Sequence, residues 1–135
     1  MPILWNVPEN QPFEGLIAGW GSKNRVLGEA WPRTELRAGA NVMVRQGDVI
    51  GLALFPVERR EAKADEDGKS RTENFVKESD VAVPNVHDSG GAMLARTRDG
   101  RLALVAVITT FRTGVWLGQY ADDSDFPLHE WAQSP

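Results

Sequence analysis

The chain lacks several features that mark common classes of protein. Its 135 residues include no cysteine, which excludes a disulfide scaffold, a thiolate zinc site and a cysteine nucleophile. Acidic residues outnumber basic ones by 19 to 15, and the net charge of −4 argues against a nucleic-acid-binding surface, which needs a basic stripe. The longest wholly apolar run, Leu102 to Ile108, is far too short to span a membrane. We therefore expect neither nucleic acid nor membrane among the partners.

The first residues also lack the marks of an export signal. Met1 to Asn6 contain no basic region and no long apolar stretch. No signal peptide is therefore expected, and the predicted location is cytoplasmic or virion-associated.

What the chain does contain is typical of a single β domain over residues 1–135. Thirteen glycines and eight prolines separate short apolar runs, a pattern that favours strands and turns. The pattern predicts an all-β fold, a closed or nearly closed antiparallel barrel of about six or seven strands. The predicted strands are Leu16–Trp20, Arg25–Trp31, Ala40–Arg45, Val49–Phe55, Ala92–Arg98, Arg101–Thr110 and Val115–Tyr120.

The clearest local prediction is a hairpin between the fifth and sixth of these strands. Asp99-Gly100 separates them, and this dipeptide suits a two-residue turn whose central residues both have positive φ. The arm after Arg101 is apolar on both faces, which indicates a central strand.

A charged insertion interrupts the barrel pattern at residues 58–80. Fourteen of these 23 residues are charged, six basic and eight acidic, and Phe75 and Val76 are the only large apolar ones. The segment is predicted to be a solvated loop, with docking of a partner as the functional alternative.

The motif that points to chemistry is His87-Asp88-Ser89-Gly90-Gly91, just before a predicted strand. Backbone N–H groups can converge in such a turn and stabilise a developing negative charge. The serine would still need a base within hydrogen-bonding distance. The same four residues, Asp-Ser-Gly-Gly, also form ordinary turns.

Several short blocks, in order along the chain, resemble the second β-barrel of trypsin-like serine proteases. The blocks are Pro2-Ile3-Leu4, Gly15 to Gly21, Leu36-Arg37-Ala38 with Val42 and Val44, Asp88 to Gly91, Val105 to Thr109, Gly114-Val115-Trp116 and His129-Glu130-Trp131. They cover nearly the whole chain. The resemblance implies a chymotrypsin-like half with a nucleophile turn and a substrate cleft beside it.

The resemblance also implies roles for individual residues. Ser89 would be the nucleophile, and its own N–H and that of His87 would donate to the oxyanion. Asp88 would brace the turn. Val83 would lie near the floor of the specificity pocket, where an apolar side chain disfavours a basic substrate group. The strand lining the cleft would contribute Thr109 and Phe111.

The chain departs from the family in several respects, which include a shortened loop before the last strand. His87 stands where the family has glycine, and Thr109-Thr110-Phe111 replaces the Ser-Trp-Gly that pairs with the substrate backbone, so that Phe111 is expected to obstruct the pocket. The first barrel, which supplies the catalytic histidine and aspartate, has no counterpart, and His129 is the only histidine besides His87. We expect a barrel that is not catalytically competent alone, needing a base from a partner chain or serving as a reused pseudo-protease.

Two other hypotheses remain open at this stage. The first is a non-enzymatic assembly or binding module, such as a virion-surface or capsid-decorating protein, which would self-associate or bind a protein partner. The second is a polysaccharide-lyase-like β protein, because Arg33 to Arg37 resembles the arginine-bearing strand of jelly-roll lyases, with Asn85 to His87 and Phe111 to Val115 as neighbouring groove residues.

No cofactor or metal is expected. The acidic stretch Asp122 to Asp125 lacks the spaced carbonyl and bidentate ligands of a calcium loop, and we interpret it as an ordinary loop. The five tryptophans are expected to pack in the core unless a subset is exposed.

Overall fold

A computed structural model describes residues 3–4, 6–22, 24–28, 35–62, 67–85 and 87–120. The elements are β1 (Phe13–Gly19), β2 (Arg37–Gln46), β3 (Val49–Leu52), β4 (Val57–Ala62), β5 (Arg71–Val76), β6 (Ala92–Arg96), β7 (Leu102–Ile108), β8 (Thr113–Trp116) and a 3₁₀ helix (Leu117–Tyr120). Within these ranges, no helix is long and apolar enough to cross a membrane.

Six of the strands form one closed antiparallel barrel in the order β1-β2-β3-β8-β7-β6, with β6 returning to pair with β1. The predicted all-β barrel is therefore confirmed. Closure leaves none of these six strands with an open edge, so the ladder satisfies backbone groups that would otherwise invite pairing with another chain.

The barrel interior is filled by side chains that alternate along the strands. In β1, Gly15, Ile17 and Gly19 are buried while their neighbours are half-buried or exposed. Met43, Ile50, Met93, Val105 and Trp116, which lie on five different strands, are almost fully buried in the same cluster as Ile17. This cluster holds the barrel together because it removes large apolar side chains from water.

An N-terminal segment, residues 3–12, runs along one end of the barrel, and we call it the strap. The strap is described except for residue 5. Leu4 N–H donates to Leu104 O on β7 at 3.1 Å, and Asn10 N–H donates to Arg45 O on β2 at 3.0 Å. Between these anchors Val7 is buried in the core cluster, so the strap closes what we call the strap end of the barrel.

The hairpin β6–β7 is present, but its turn differs from the predicted one. Thr97 N–H donates to Arg101 O, Gly100 N–H donates to Thr97 O, and of Asp99 and Gly100 only the glycine has positive φ. The connection is therefore a three-residue loop ending in a left-handed glycine, a common alternative to the two-residue turn.

The charged insertion, predicted to be a loop, contains the separate two-stranded sheet β4–β5. One charged pair crosses the two strands, with Arg60 Nε 2.8 Å from Glu73 Oε1, and the guanidinium groups of Arg25 and Arg60 lie over the ring of Phe75. The sequence has no apolar alternation there because this hairpin is stabilised by polar and cation–π contacts.

Two predicted strands were wrong in part. The described portion of Arg25–Trp31 contains only an isolated bridge between Val26 and Phe75, and residues 29–31 lie outside the described ranges. The predicted strand Val115–Tyr120 ends at Trp116, where the chain turns into the 3₁₀ helix and buries Leu117 against Ile3. Of the tryptophans, Trp116 is buried and Trp20 is exposed, while Trp5, Trp31 and Trp131 lie outside the described residues.

Candidate functional site

The serine-bearing turn enters β6 at the end of the barrel opposite the strap, which we call the Ser89 end. Gly90 N–H donates to Ile108 O at 2.8 Å, and Ile108 N–H donates to Gly91 O at 2.9 Å. These bonds extend the β6–β7 ladder into the turn. The position of Ser89 is therefore set by the barrel itself.

Asp88 is half-buried beneath the turn, and both of its carboxylate oxygens accept backbone hydrogen bonds. Oδ1 accepts from Gly21 N–H and Oδ2 from Asn85 N–H, each at 2.8 Å. A Cβ at Gly19 or Gly21 would overlap the same carboxylate, so the close approach requires glycine. The Asp88 side chain ties the turn to the chain after β1, and these contacts are the ones a bracing residue needs.

Asn85 reinforces this connection, and sequence analysis did not assign it to the serine turn. Its Oδ1 accepts from Gly28 N–H at 2.9 Å, and its Nδ2 donates to Asn24 O at 2.9 Å. Its own carbonyl accepts from Asp88 N–H at 3.0 Å. The signal in the sequence was an asparagine three residues before an aspartate. At this spacing a polar side chain can accept a hydrogen bond from the backbone of the same turn.

Ser89 is exposed, and no base among the described residues accepts a hydrogen bond from its hydroxyl. Oγ donates to the carbonyl oxygen of Thr109 at 3.3 Å. No imidazole nitrogen in the described ranges forms a hydrogen bond with it; His87 is exposed on the same turn, and His129 lies outside those ranges. A serine without a positioned base is a weak nucleophile.

Backbone donors are nevertheless available beside Ser89. Within the described part of the chain, the N–H groups of His87 and Ser89 have no hydrogen-bond acceptor. His87 adopts φ of 75°, a left-handed conformation that glycine adopts freely and that is strained for most other residues. The turn thus keeps a glycine-type backbone although histidine occupies the position.

The residues predicted to bind substrate lie on two sides of the turn. Val83 is half-buried and lines a pocket of about 90 Å³ that also contacts Asp88. Thr109 contacts Ser89 through its carbonyl group. Phe111 lies outside the described lining of this pocket and stacks on Phe55 with ring centroids 6.0 Å apart.

Phe55 and Phe111 are joined by Arg112, and we call these three residues the aromatic patch. The guanidinium carbon lies 4.7 Å from the Phe55 ring centroid and 5.5 Å from that of Phe111. Phe111 is 40% exposed, and the neighbouring Leu54 is 45% exposed. The Ser89 end therefore presents apolar surface and a positive charge to solvent.

Two further segments named in the sequence analysis lie wholly or partly outside the described ranges. These ranges contain no group of three or more histidine or acidic residues placed to hold a metal ion, and Asp122 to Asp125 lie outside them. Of the lyase-like segment, Arg33 and Thr34 also lie outside, while Arg37 is the exposed first residue of β2.

Comparison with known proteins adds no relative to this description. No protein-family model, curated protein or solved structure matches the chain.

Proposed function

We propose that this protein is a trypsin-like serine-protease barrel in which Ser89 has backbone donors beside it but no base among the described residues, so that the chain alone does not cleave peptide bonds. The observation that carries this proposal is the pair of N–H groups, on His87 and Ser89, that have no acceptor beside an exposed hydroxyl. Backbone N–H groups that converge on one point stabilise an oxyanion without reorganisation, and this is the role we assign to the pair.

The bracing of the turn supports the same conclusion. Asp88 directs both carboxylate oxygens to backbone N–H groups, so it holds the turn, and neither of these hydrogen bonds involves an imidazole. The base would have to be supplied by a partner chain. A protein partner or self-association is therefore part of this proposal.

Labelling with a fluorophosphonate probe tests the proposal. We expect slow labelling at Ser89, located by mass spectrometry, lost in Ser89→Ala and accelerated by high concentrations of imidazole, which supplies the missing base. Ser79 is an exposed serine whose hydroxyl is hydrogen-bonded to the backbone of nearby Val81. Ser79→Ala is therefore the matched control, and Ser89 in this variant should be labelled as fast as in the wild type.

Equal reactivity of Ser89 and Ser79 would contradict the proposal. If Ser89 reacts no faster than Ser79 with and without imidazole, the turn has no oxyanion-stabilising function, and the enzyme-derived hypothesis fails.

The aromatic patch supports a second candidate, a non-enzymatic assembly or binding module such as a virion-surface protein. Exposed Phe111 and Leu54 beside a guanidinium are typical of a contact surface. Sedimentation velocity of the wild type and of Phe111→Ser tests this second candidate. An oligomer of the wild type that is lost in the variant supports assembly through the patch. A monomeric wild type contradicts self-assembly.

A further inference from the structure

A large cavity among the described residues lies at the strap end, away from Ser89. It is a groove of about 810 Å³ between the strap, the first half of β1 and the end of β6. We call it the strap groove. Its volume falls within the range of about 300–1,000 Å³ that is usual for ligand pockets.

The floor of the strap groove is apolar and belongs to the outer face of the barrel. Leu16 lies between the inward-facing Gly15 and Ile17, so its side chain points outward. Leu94 pairs directly with Leu16 across β1 and β6 and therefore lies on the same face. Phe13 and Leu4 add apolar surface to the walls.

Two arginines lie at the side of the groove formed by the end of β6. Both Arg96 and Arg98 are exposed, and Arg96 uses Nη1 to donate to Gly100 O at 2.8 Å. Arg98 forms no ion pair with any described residue. Glu14 is the one acidic residue in the described lining, so the two guanidinium groups leave an excess of positive charge.

The backbone around the groove is held in place. The strap is bonded to β7 through Leu4 and to β2 through Asn10, and Arg45 Nη1 donates to Val7 O at 2.9 Å. The Arg45 guanidinium also lies 4.8 Å from the ring of Trp116, which is part of the core. A groove between fixed walls binds its ligand with less loss of conformational entropy than a flexible one.

We propose that the strap groove binds a small amphipathic carboxylate. Its apolar body would lie on Leu16 and Leu94, and its carboxylate would accept hydrogen bonds from Arg96 and Arg98. A guanidinium is the group best suited to a carboxylate because its N–H donors match both oxygens. This inference does not depend on the Ser89 turn, which lies at the other end of the barrel.

Titration calorimetry with decanoate tests the proposal, with decylamine as a ligand of equal chain length and opposite charge. We expect saturable binding of decanoate and at least about tenfold weaker binding of decylamine. Arg98→Gln should weaken decanoate binding by about tenfold, because it removes one charge-assisted interaction. Arg71→Gln, which changes an exposed arginine on β5 outside the groove, is the matched control and should bind like the wild type.

A second variant tests the apolar floor. Leu16→Gln should weaken decanoate binding while thermal unfolding monitored by circular dichroism confirms that the barrel is intact. Absence of saturable decanoate binding would overturn the proposal. Equal affinity for decylamine, or equal effects of Arg98→Gln and Arg71→Gln, would overturn the assignment of the carboxylate to these arginines.

Discussion

The two ends of the barrel are held by different kinds of interaction. At the strap end, Val7 and Trp116 are buried in the core, and packing of large side chains fixes the structure. At the Ser89 end, a carboxylate and the backbone N–H groups of Gly21 and Asn85 fix it. The end with the candidate chemistry therefore depends on one carboxylate and its backbone donors, whereas the strap end combines backbone hydrogen bonds with the burial of large apolar side chains.

The largest expected effect belongs to packing at the strap end. Trp116 is 1% exposed, and Trp116→Ala should lower the free energy of unfolding by about 3–5 kcal/mol, because it leaves a large cavity in the core. Urea unfolding measures this change. Trp20 lies at the Ser89 end and is 48% exposed, so Trp20→Ala should lower it by less than about 1 kcal/mol. Similar losses in both variants would contradict the proposed difference between the two ends.

An intermediate loss of stability is expected for substitutions at the contact between Asp88 and Gly21. Asp88→Ala should lower the free energy of unfolding by about 2–3 kcal/mol, because two N–H groups lose their acceptor. Gly21→Ala should lower it by about 1–3 kcal/mol, because the new methyl group overlaps the carboxylate.

The double mutant isolates the contact between these two residues. With Asp88→Ala present, Gly21→Ala should have an effect of less than about 0.5 kcal/mol, since the overlap no longer exists. Gly51→Ala, at a β3 position with only ordinary contacts around a new methyl group, is the control. Additive effects of the two substitutions would show that the carboxylate does not occupy the space beside Gly21.

The smallest expected effect is on the pH dependence of stability, and it concerns Asp99 in the turn at the end of β6, close to the strap groove. Hydrogen bonding from the Thr97 hydroxyl, followed by the charge of Arg101, lowers the pKa of Asp99 below its usual value. Because the folded pKa is below the unfolded one of about 3.9, the stabilising contribution is complete above that pH and is lost as pH falls through the folded pKa.

Thermal unfolding between about pH 2 and pH 6 tests this linkage. The melting temperature of the wild type should fall more steeply below about pH 4 than that of Asp99→Asn, because the variant has no carboxylate at position 99 to protonate. Thr97→Val should give a shallower decrease than the wild type, because it removes the main cause of the shift. Identical pH profiles in all three proteins would contradict the assigned cause.

Short apolar runs separated by glycine and proline were sufficient to predict most of the barrel. Ile17, Met43 and Val105 stand in short apolar runs, and each lies on a strand where one was expected. The sheet β4–β5 was not predictable in this way, because its register depends on which charges face each other across the hairpin. Arg60 and Glu73 are 13 residues apart, and only the folded hairpin brings them together.

The sequence named residues of the candidate site but did not predict which other segments they contact. The sequence pointed to Ser89, Asp88 and His87, and the structure supplies the contact from Asp88 to Gly21, 67 residues away along the chain. It also assigns Asn85 to the turn through Gly28 and Asn24. Such contacts join loops at the same end of the barrel, and no local pattern in the chain records them.

Residue types and their alternation along the chain determined that this protein is an all-β barrel with a serine in a glycine-rich turn, because strand formation and turn conformation depend on near neighbours. Only the tertiary structure decided that both oxygens of Asp88 are occupied, that the N–H groups of His87 and Ser89 have no acceptor among the described residues, and that a strap leaves a groove at the other end. The reason is physical: hydrogen bonds and cavities depend on distances between segments that are remote in sequence, and closure of the barrel sets those distances.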